Sequence, residues 1–471
     1  MTTLVLGGAS IARSVEVAAA NVGAWQIDPS SRVACQPTVS DTPSLEEEVF
    51  ELHRVRLLHD DGANAPSGLV VRVTGPIETL AQHASGLPDG PGGAEALAIR
   101  LGRLGACTRW VEPELLATPA ALRDLCRDWG SSSIHAWRAD PSLLGELTVG
   151  HWFDSSARSR AARRFALAVP GRAVSMDAAF WSGARAEATV EEWRLLTRGY
   201  SVLLYHRLAG ELKPDQERLD VPWQRFDRQM RMLRRFRFHP LTMKELAACQ
   251  GPGGTPIPRR SVLVTVDDAF LDVVEPLRRH AWAHPQLFVP TGAVGGRAHW
   301  LDDEQVAGWG ELTALAAAGV ELGAHSRTHA DLPTVSDAVA EEEVRGSGDD
   351  LRRNAGVTPV AFAYPHGRKG PRERAVVRAA GYAFAFTTQP GRNGAGSDPL
   401  SLRRVSVKSW DSRLSFGWKL VTGEQPPRAW ERWLLLRAGI ARRLGRARRG
   451  AHAPASAAAP PGPEPPPRRS P

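Results

Sequence analysis

Two adjacent carboxylates, Asp267 and Asp268, close the apolar run of "SVLVTVDDAF" (261–270). A turn has no need of like charges side by side, which repel unless something positive stands next to them. Two further groups appear in the same setting. The imidazoles of His325 and His329, in "HSRTH", follow "GVELGA", and a Pro365-His366-Gly367 turn follows "VAFAY". One carboxylate and two imidazoles are a sufficient protein ligand set for Zn²⁺ or a similar divalent ion, with positions left for water and substrate. The doublet then divides its labour: one aspartate ligates the metal and the other takes a proton from water. Taken singly, each motif has a bland alternative: a solvated turn or helix cap, a helical surface pair, a plain turn. Their order, each behind its own strand, is what favours a metal site.

The elements that must position these groups form one pattern. From "YSVLLYHRLAG" (200–210) onward, apolar runs rich in β-branched and aromatic residues ("SVLVTV", "PQLFVP", "GVELGAH", "VAFAYP", "YAFAFTT") read as strands. Between them lie helical stretches such as "DEQVAGWGELTALAAAG" and "SDAVAEEEVRGSGDDLRRNAG", each closed by glycine. Such alternation predicts an α/β fold with parallel strands and helical crossovers, either an open sheet or a barrel. In both, functional groups gather at the carboxyl ends of the strands.

On these residues the segment from about 200 to 410 resembles the polysaccharide deacetylases, carbohydrate esterases of family four with a NodB-homology domain. "TVDDAF" is similar to that family's first motif, "HSRTH" to its second, and "FAYPHG" to a variant third motif with Pro-His-Gly in place of Pro-Tyr-Gly. The resemblance implies a distorted (β/α) barrel with fewer than eight strands over residues 196–420, preceded by a separate α/β domain over 1–190. It implies Asp267 as general base and Asp268, His325 and His329 as ligands of a divalent metal, Zn²⁺ by preference. Pro365, His366 and Tyr364 would line the oxyanion and substrate side through the backbone of their turn.

The sequence also departs from the family. Ala269 follows the doublet where glycine is usual, and Ala363 stands where an arginine often orients the base. Arg404, in "SLRRVSV", is similar to the family's late arginine and would pair with Asp267, with Arg403 the alternative. The late Leu-x-His that supplies the general acid is missing after residue 400. In a resembling subgroup an early strand ending in Tyr-His supplies it, which points to His206. The function implied is metal-dependent removal of N-acetyl groups from an amino sugar of a cell-surface or exopolysaccharide glycan or its precursor. The alternatives are an O-acetyl carbohydrate esterase and an inactive, glycan-binding relative.

Composition sets the remaining bounds. The chain has 471 residues, which suits two or three folded units. Ten of its 59 basic residues but only two of its 51 acidic ones lie from Arg428 onward, leaving 49 of each before that point. A neutral body argues against a nucleic-acid partner, whose binding face must neutralise phosphates. Four dispersed cysteines (Cys35, Cys107, Cys126, Cys249) form no CxxC pair and read as reduced thiols. Neither a signal peptide nor a spanning run is visible, so a cytoplasmic protein is expected. The stretch over 426–450, "RAWERWLLLRAGIARRLGRARR" at its heart, reads as a basic amphipathic helix able to lie on an anionic membrane. Residues 451–471 are rich in Pro and Ala and are expected to be disordered. In the first 190 residues, "LVLGGASIARS" and "WVEPELLATPAALRDLCRDWG" weakly resemble sulfotransferases. The former lacks the Lys a phosphosulfate loop would use, so an inactive or structural domain is the expectation.

Overall fold

The computed structural model describes residues 49–55, 69–74, 86–88, 91–104, 107–111, 119–169, 175–208, 210, 220–250, 253–301 and 303–427. "LVLGGASIARS", the basic segment from Arg428 to Arg449 and the tail 451–471 lie outside the described residues. Among the described residues no helix is long and apolar enough to cross a membrane.

A small sheet comes first, in the order β2-β1-β3: β1 (Val49–Val55) runs antiparallel to β2 (Leu69–Thr74) and parallel to β3 (Cys107–Val111). The helices Pro91–Arg103, Pro119–Ala139, Ala157–Ala168, Met176–Glu187 and Val190–Thr197 follow or interleave it. They bury their own core around Leu125, Trp129, Ile134, Trp152, Phe180 and Trp181. Two arginines tie this part to the next: Arg160 donates to the Thr422 carbonyl at 2.9 Å, and Arg403 pairs with Asp154 at 3.0 Å.

The predicted strands from Tyr200 onward are observed and share one sheet. They are β4 (Tyr200–Tyr205), β5 (His239–Pro240), β6 (Ser261–Val266) and β7 (Gln286–Val289), then, beyond a short hairpin of β8 (Arg297–Ala298) and β9 (Glu304–Gln305), β10 (Glu321–Ala324), β11 (Ala361–Ala363), β12 (Phe384–Phe386), β13 (Arg392–Asn393) and β14 (Val405–Ser406). The order is β12-β11-β10-β7-β6-β4-β13, with β5 on β6 and β14 on β4. All pairs but β13–β4 are parallel. The sheet curls until one short segment joins its ends. Leu402 bridges Phe386 on one side, and β14 pairs with Leu203 and Leu204 on the other. This is the distorted α/β barrel implied by the sequence.

Alternation along each strand sorts the side chains. Tyr200, Val202, Leu263, Phe288, Phe384 and Phe386 fill the interior. Their neighbours Leu203, Val264, Leu287, Phe362 and Ala385 face outward, under the crossover helices. One of these helices, Asp337–Ala355, ends at Gly356 with φ 66°, the left-handed cap that "NAG" predicts.

Candidate functional site

Strand register delivers the site. β4 and β6 are parallel with Tyr205 opposite Val266, and the Asp267 N–H continues the ladder to the Tyr205 carbonyl at 2.9 Å. His206 and Asp267 therefore leave the sheet side by side. The His325 N–H likewise donates to the Val289 carbonyl at 3.0 Å at the end of β10. Immediately past the strand ends the chain turns in the left-handed region without glycine: Asp268 (φ 72°), Ala269 (49°), Ser326 (59°), His329 (59°) and His366 (58°). Each such residue costs on the order of 1 kcal/mol, and their clustering on one rim marks strain retained for placement of side chains. Ala269, at the position where the family has glycine, carries that strain with its Cβ buried.

Asp268, His325 and His329 are all buried, and one ligand atom from each lies within 4.8 Å of the others. His329 Nε2 is 3.3 Å and His325 Nε2 3.7 Å from Asp268 Oδ1. The His325 Nδ1–H donates to the Ala363 carbonyl at 2.8 Å, which leaves Nε2 as the free lone pair facing the carboxylate. Asp268 Oδ1 itself is buried with no hydrogen-bond partner among the described residues. Burial, then the charge of Asp267, pushes the Asp268 carboxyl up to about 8, while burial pushes His329 down to about 2 and lowers His325. An unpartnered carboxylate oxygen facing two imidazoles that resist protonation is a site short of positive charge. This donor set fits a divalent cation.

Asp267 has a different environment. Arg404 holds it with two hydrogen bonds, Nη1 to Oδ1 at 2.6 Å and Nη2 to Oδ2 at 2.8 Å. Arg404 sits in the segment that closes the barrel, fully buried, with its Nε–H on the Thr387 carbonyl at 2.8 Å and its guanidinium between the rings of Phe288 and Phe386. Burial opposes the Asp267 charge, but Arg404, His325 and His206 outweigh it and hold the carboxyl down at about 2. Arg403, the alternative partner, points the other way, to Asp154. His206 stands within electrostatic reach of Asp267 and His325, and burial lowers its imidazole to about 4.

Pro365–Gly367 form a single tight turn beside the two histidines, and the His366 ring meets the His329 ring edge-on at 4.7 Å. Tyr364 requires a correction. It falls on the outward parity of β11, its hydroxyl donates to the Leu400 carbonyl at 3.1 Å, and its N–H is taken by Phe386 O at 3.1 Å. Neither group faces the rim, so Tyr364 supports the turn from behind and does not line the site.

Two residues at the site were not singled out by sequence. Trp300, on the β8–β9 hairpin, stacks on His329. Glu343, on Asp337–Ala355, is buried and accepts from the N–H groups of Arg327 and Thr328 and from the Thr328 hydroxyl, each at 2.8 Å. It thereby anchors the loop between the two histidines. The only available signal was an inward helix position occupied by a charge. Glu343→Ala is expected to cost about 3 kcal/mol in urea unfolding, because buried donors lose a charged acceptor. The exposed neighbour change Glu341→Ala should stay within about 0.5 kcal/mol.

Comparison with known proteins follows the same stretch. Residues 256–385 match the family described as polysaccharide deacetylase. Among solved structures, the chain is similar to the Streptococcus pyogenes deacetylase PplD in complex with acetate (22% identity, 48% of this chain and 99% of that one, TM-score 0.42). It is also similar to IcaB from Ammonifex degensii (23%, 47% and 96%, TM-score 0.41). A third is the BpsB deacetylase domain from Bordetella bronchiseptica (20%, 47% and 98%, TM-score 0.38). No curated protein sequence matches.

Proposed function

From the premise that residues 256–385 form a polysaccharide deacetylase domain, a hydrolase of carbon–nitrogen bonds, we propose that this chain removes N-acetyl groups from the amino sugars of a glycan in a metal-dependent reaction. The observation that carries this reading is the buried Asp268–His325–His329 cluster beside an aspartate locked in its ionised form by Arg404. The matched stretch contains the doublet and both histidines. The catalytic unit is nevertheless larger, about 196–420, because His206 just past β4 and Arg404 in the closing segment complete the site from outside it.

A divalent ion held by Asp268, His325 and His329, Zn²⁺ by the preference of such ligand sets, would polarise the acetamide carbonyl and acidify the attacking water. The protein's own groups do the rest. Asp267, ionised throughout the neutral range, takes the proton of that water, and Arg404 keeps its carboxylate oriented and charged. The backbone N–H of His366, in the Pro365–His366 turn, is the donor assigned to the carbonyl oxygen as it gathers charge. His206, neutral when substrate arrives, receives a proton during the cycle and delivers it to the departing amine. The His366 side chain is not needed for this, so histidine in place of tyrosine is compatible with activity.

Acetate release tests the reading. N-acetylated chitooligosaccharides should be turned over, and a chelator should abolish release, with Zn²⁺ or Co²⁺ restoring it. Release from acetylated xylan alone would instead establish an O-acetyl esterase, which the same groups would permit. Substrate binding with no release after metal loading would make the chain a glycan-binding protein.

A further inference from the structure

The two imidazoles of the cluster are held in different ways. His325 has the usual outer support, its Nδ1–H bonded to the Ala363 carbonyl. Ligating histidines ordinarily donate the second ring N–H to a carbonyl or carboxylate, which fixes the ring plane. His329 does not: its Nδ1 is buried and has no hydrogen-bond partner among the described residues. Rings surround it instead. Trp300 lies parallel to the imidazole, planes 13° apart and centroids 4.6 Å apart. His366 meets it edge-on, 81° and 4.7 Å.

The hairpin that carries Trp300 is itself pinned to the active-site turn. The Ala307 N–H donates to the Ala269 carbonyl at 2.9 Å, Phe270 bridges Val306, and Arg207, the residue after His206, donates to Glu304 at 3.1 Å. The indole is therefore placed by the same backbone that places the aspartates. Its Nε1–H is also buried and lies within reach of the Asp268 carboxylate, a contact that Trp300→Phe removes while keeping a ring over His329.

We propose that Trp300 and His366 together form a positioning clamp for the metal site: one stacked ring and one edge-on ring set the plane of the His329 imidazole in place of the missing hydrogen bond at Nδ1. The proposal rests on the reading of Asp268, His325 and His329 as a metal-binding set. It makes Trp300 a positioning residue, since it acts through His329 and not on substrate.

Titration of purified, metal-stripped protein with Co²⁺, followed by calorimetry and visible absorption, tests it. Trp300→Leu should weaken Co²⁺ binding by about 10–100-fold and change the ligand-field spectrum. Trp300→Phe keeps a ring over the imidazole and should stay within about threefold of the parent, with its spectrum. His366→Asn removes the second ring at an exposed position whose φ of 58° suits asparagine, and should weaken binding by about five- to tenfold. Should Trp300→Leu not fold, the Phe and Asn variants still decide. Parent-like affinity and spectrum in His366→Asn, or a loss in Trp300→Phe as large as about 10-fold, overturns the clamp. Parent-like Co²⁺ binding by folded Trp300→Leu overturns it directly. Failure of the parent protein to bind Co²⁺ is a distinct result, and overturns the metal reading on which the clamp rests.

Discussion

Asp268→Ala is expected to leave the protein without bound metal and without activity, whereas Asp267→Asn should retain metal and lose activity by about 10²–10⁴-fold, the usual contribution of a general base. The two carboxylates are adjacent in sequence but opposite in circumstance. Asp268 offers an oxygen with no hydrogen-bond partner to the two imidazoles, and its carboxyl is pushed up to about 8. Asp267 has both oxygens on Arg404 and is held down at about 2. Metal content and acetate release, measured on both variants, separate the roles. Loss of metal in Asp267→Asn would reverse the assignment.

The same variant carries a stability signature. Removing one charge of a buried ion pair leaves the other uncompensated, which typically costs about 3–5 kcal/mol. The pH dependence follows from the direction of the shift. Asp267 is depressed in the folded state, so its contribution is present above the ordinary carboxylate pKa and is lost as pH falls through about 2. A depression from 3.8 to about 2 corresponds to about 2 kcal/mol. Asp267→Asn should flatten that part of the acid-unfolding curve, which urea midpoints at stepped pH would show.

The second large effect concerns the leaving group. An amine departs readily only if protonated as the bond breaks, so His206→Ala should retain fold and metal but lose amide deacetylation by roughly 10²-fold or more. An aryl acetate, whose leaving group needs no proton, should suffer far less. The register of β4 on β6 puts His206 beside Asp267, the proposed base. Transfer between neighbours suits an imidazole that burial keeps neutral, at about 4, until then. Equal losses on both substrates would place His206 in binding or packing.

Local chemistry made much of this legible in sequence. Apolar runs ending in Asp267–Asp268, His325 and Pro365 could be read as strands because side-chain type and period 2 are local properties. Strand ends then had to share a rim, because parallel strands with helical crossovers all point one way. Gly356 could be read as a helix stop for the same reason, since backbone freedom belongs to the residue itself.

What remained open was set by partners far away in the chain. Whether Arg403 or Arg404 reaches Asp267, 137 residues earlier, depends on which of two adjacent residues points into the barrel. That parity is decided by how Leu402 and β14 close the sheet, and a shift of one residue would exchange them. Parity also turned Tyr364 outward, although its neighbours Pro365 and His366 stand on the rim. Trp300 and Glu343 reached the site through a hairpin and a helix whose own sequences carry no catalytic mark. Composition and spacing thus determined which groups are available, whereas strand register and sheet closure decided which of them meet, because a side chain's direction is inherited from backbone pairing across the whole domain.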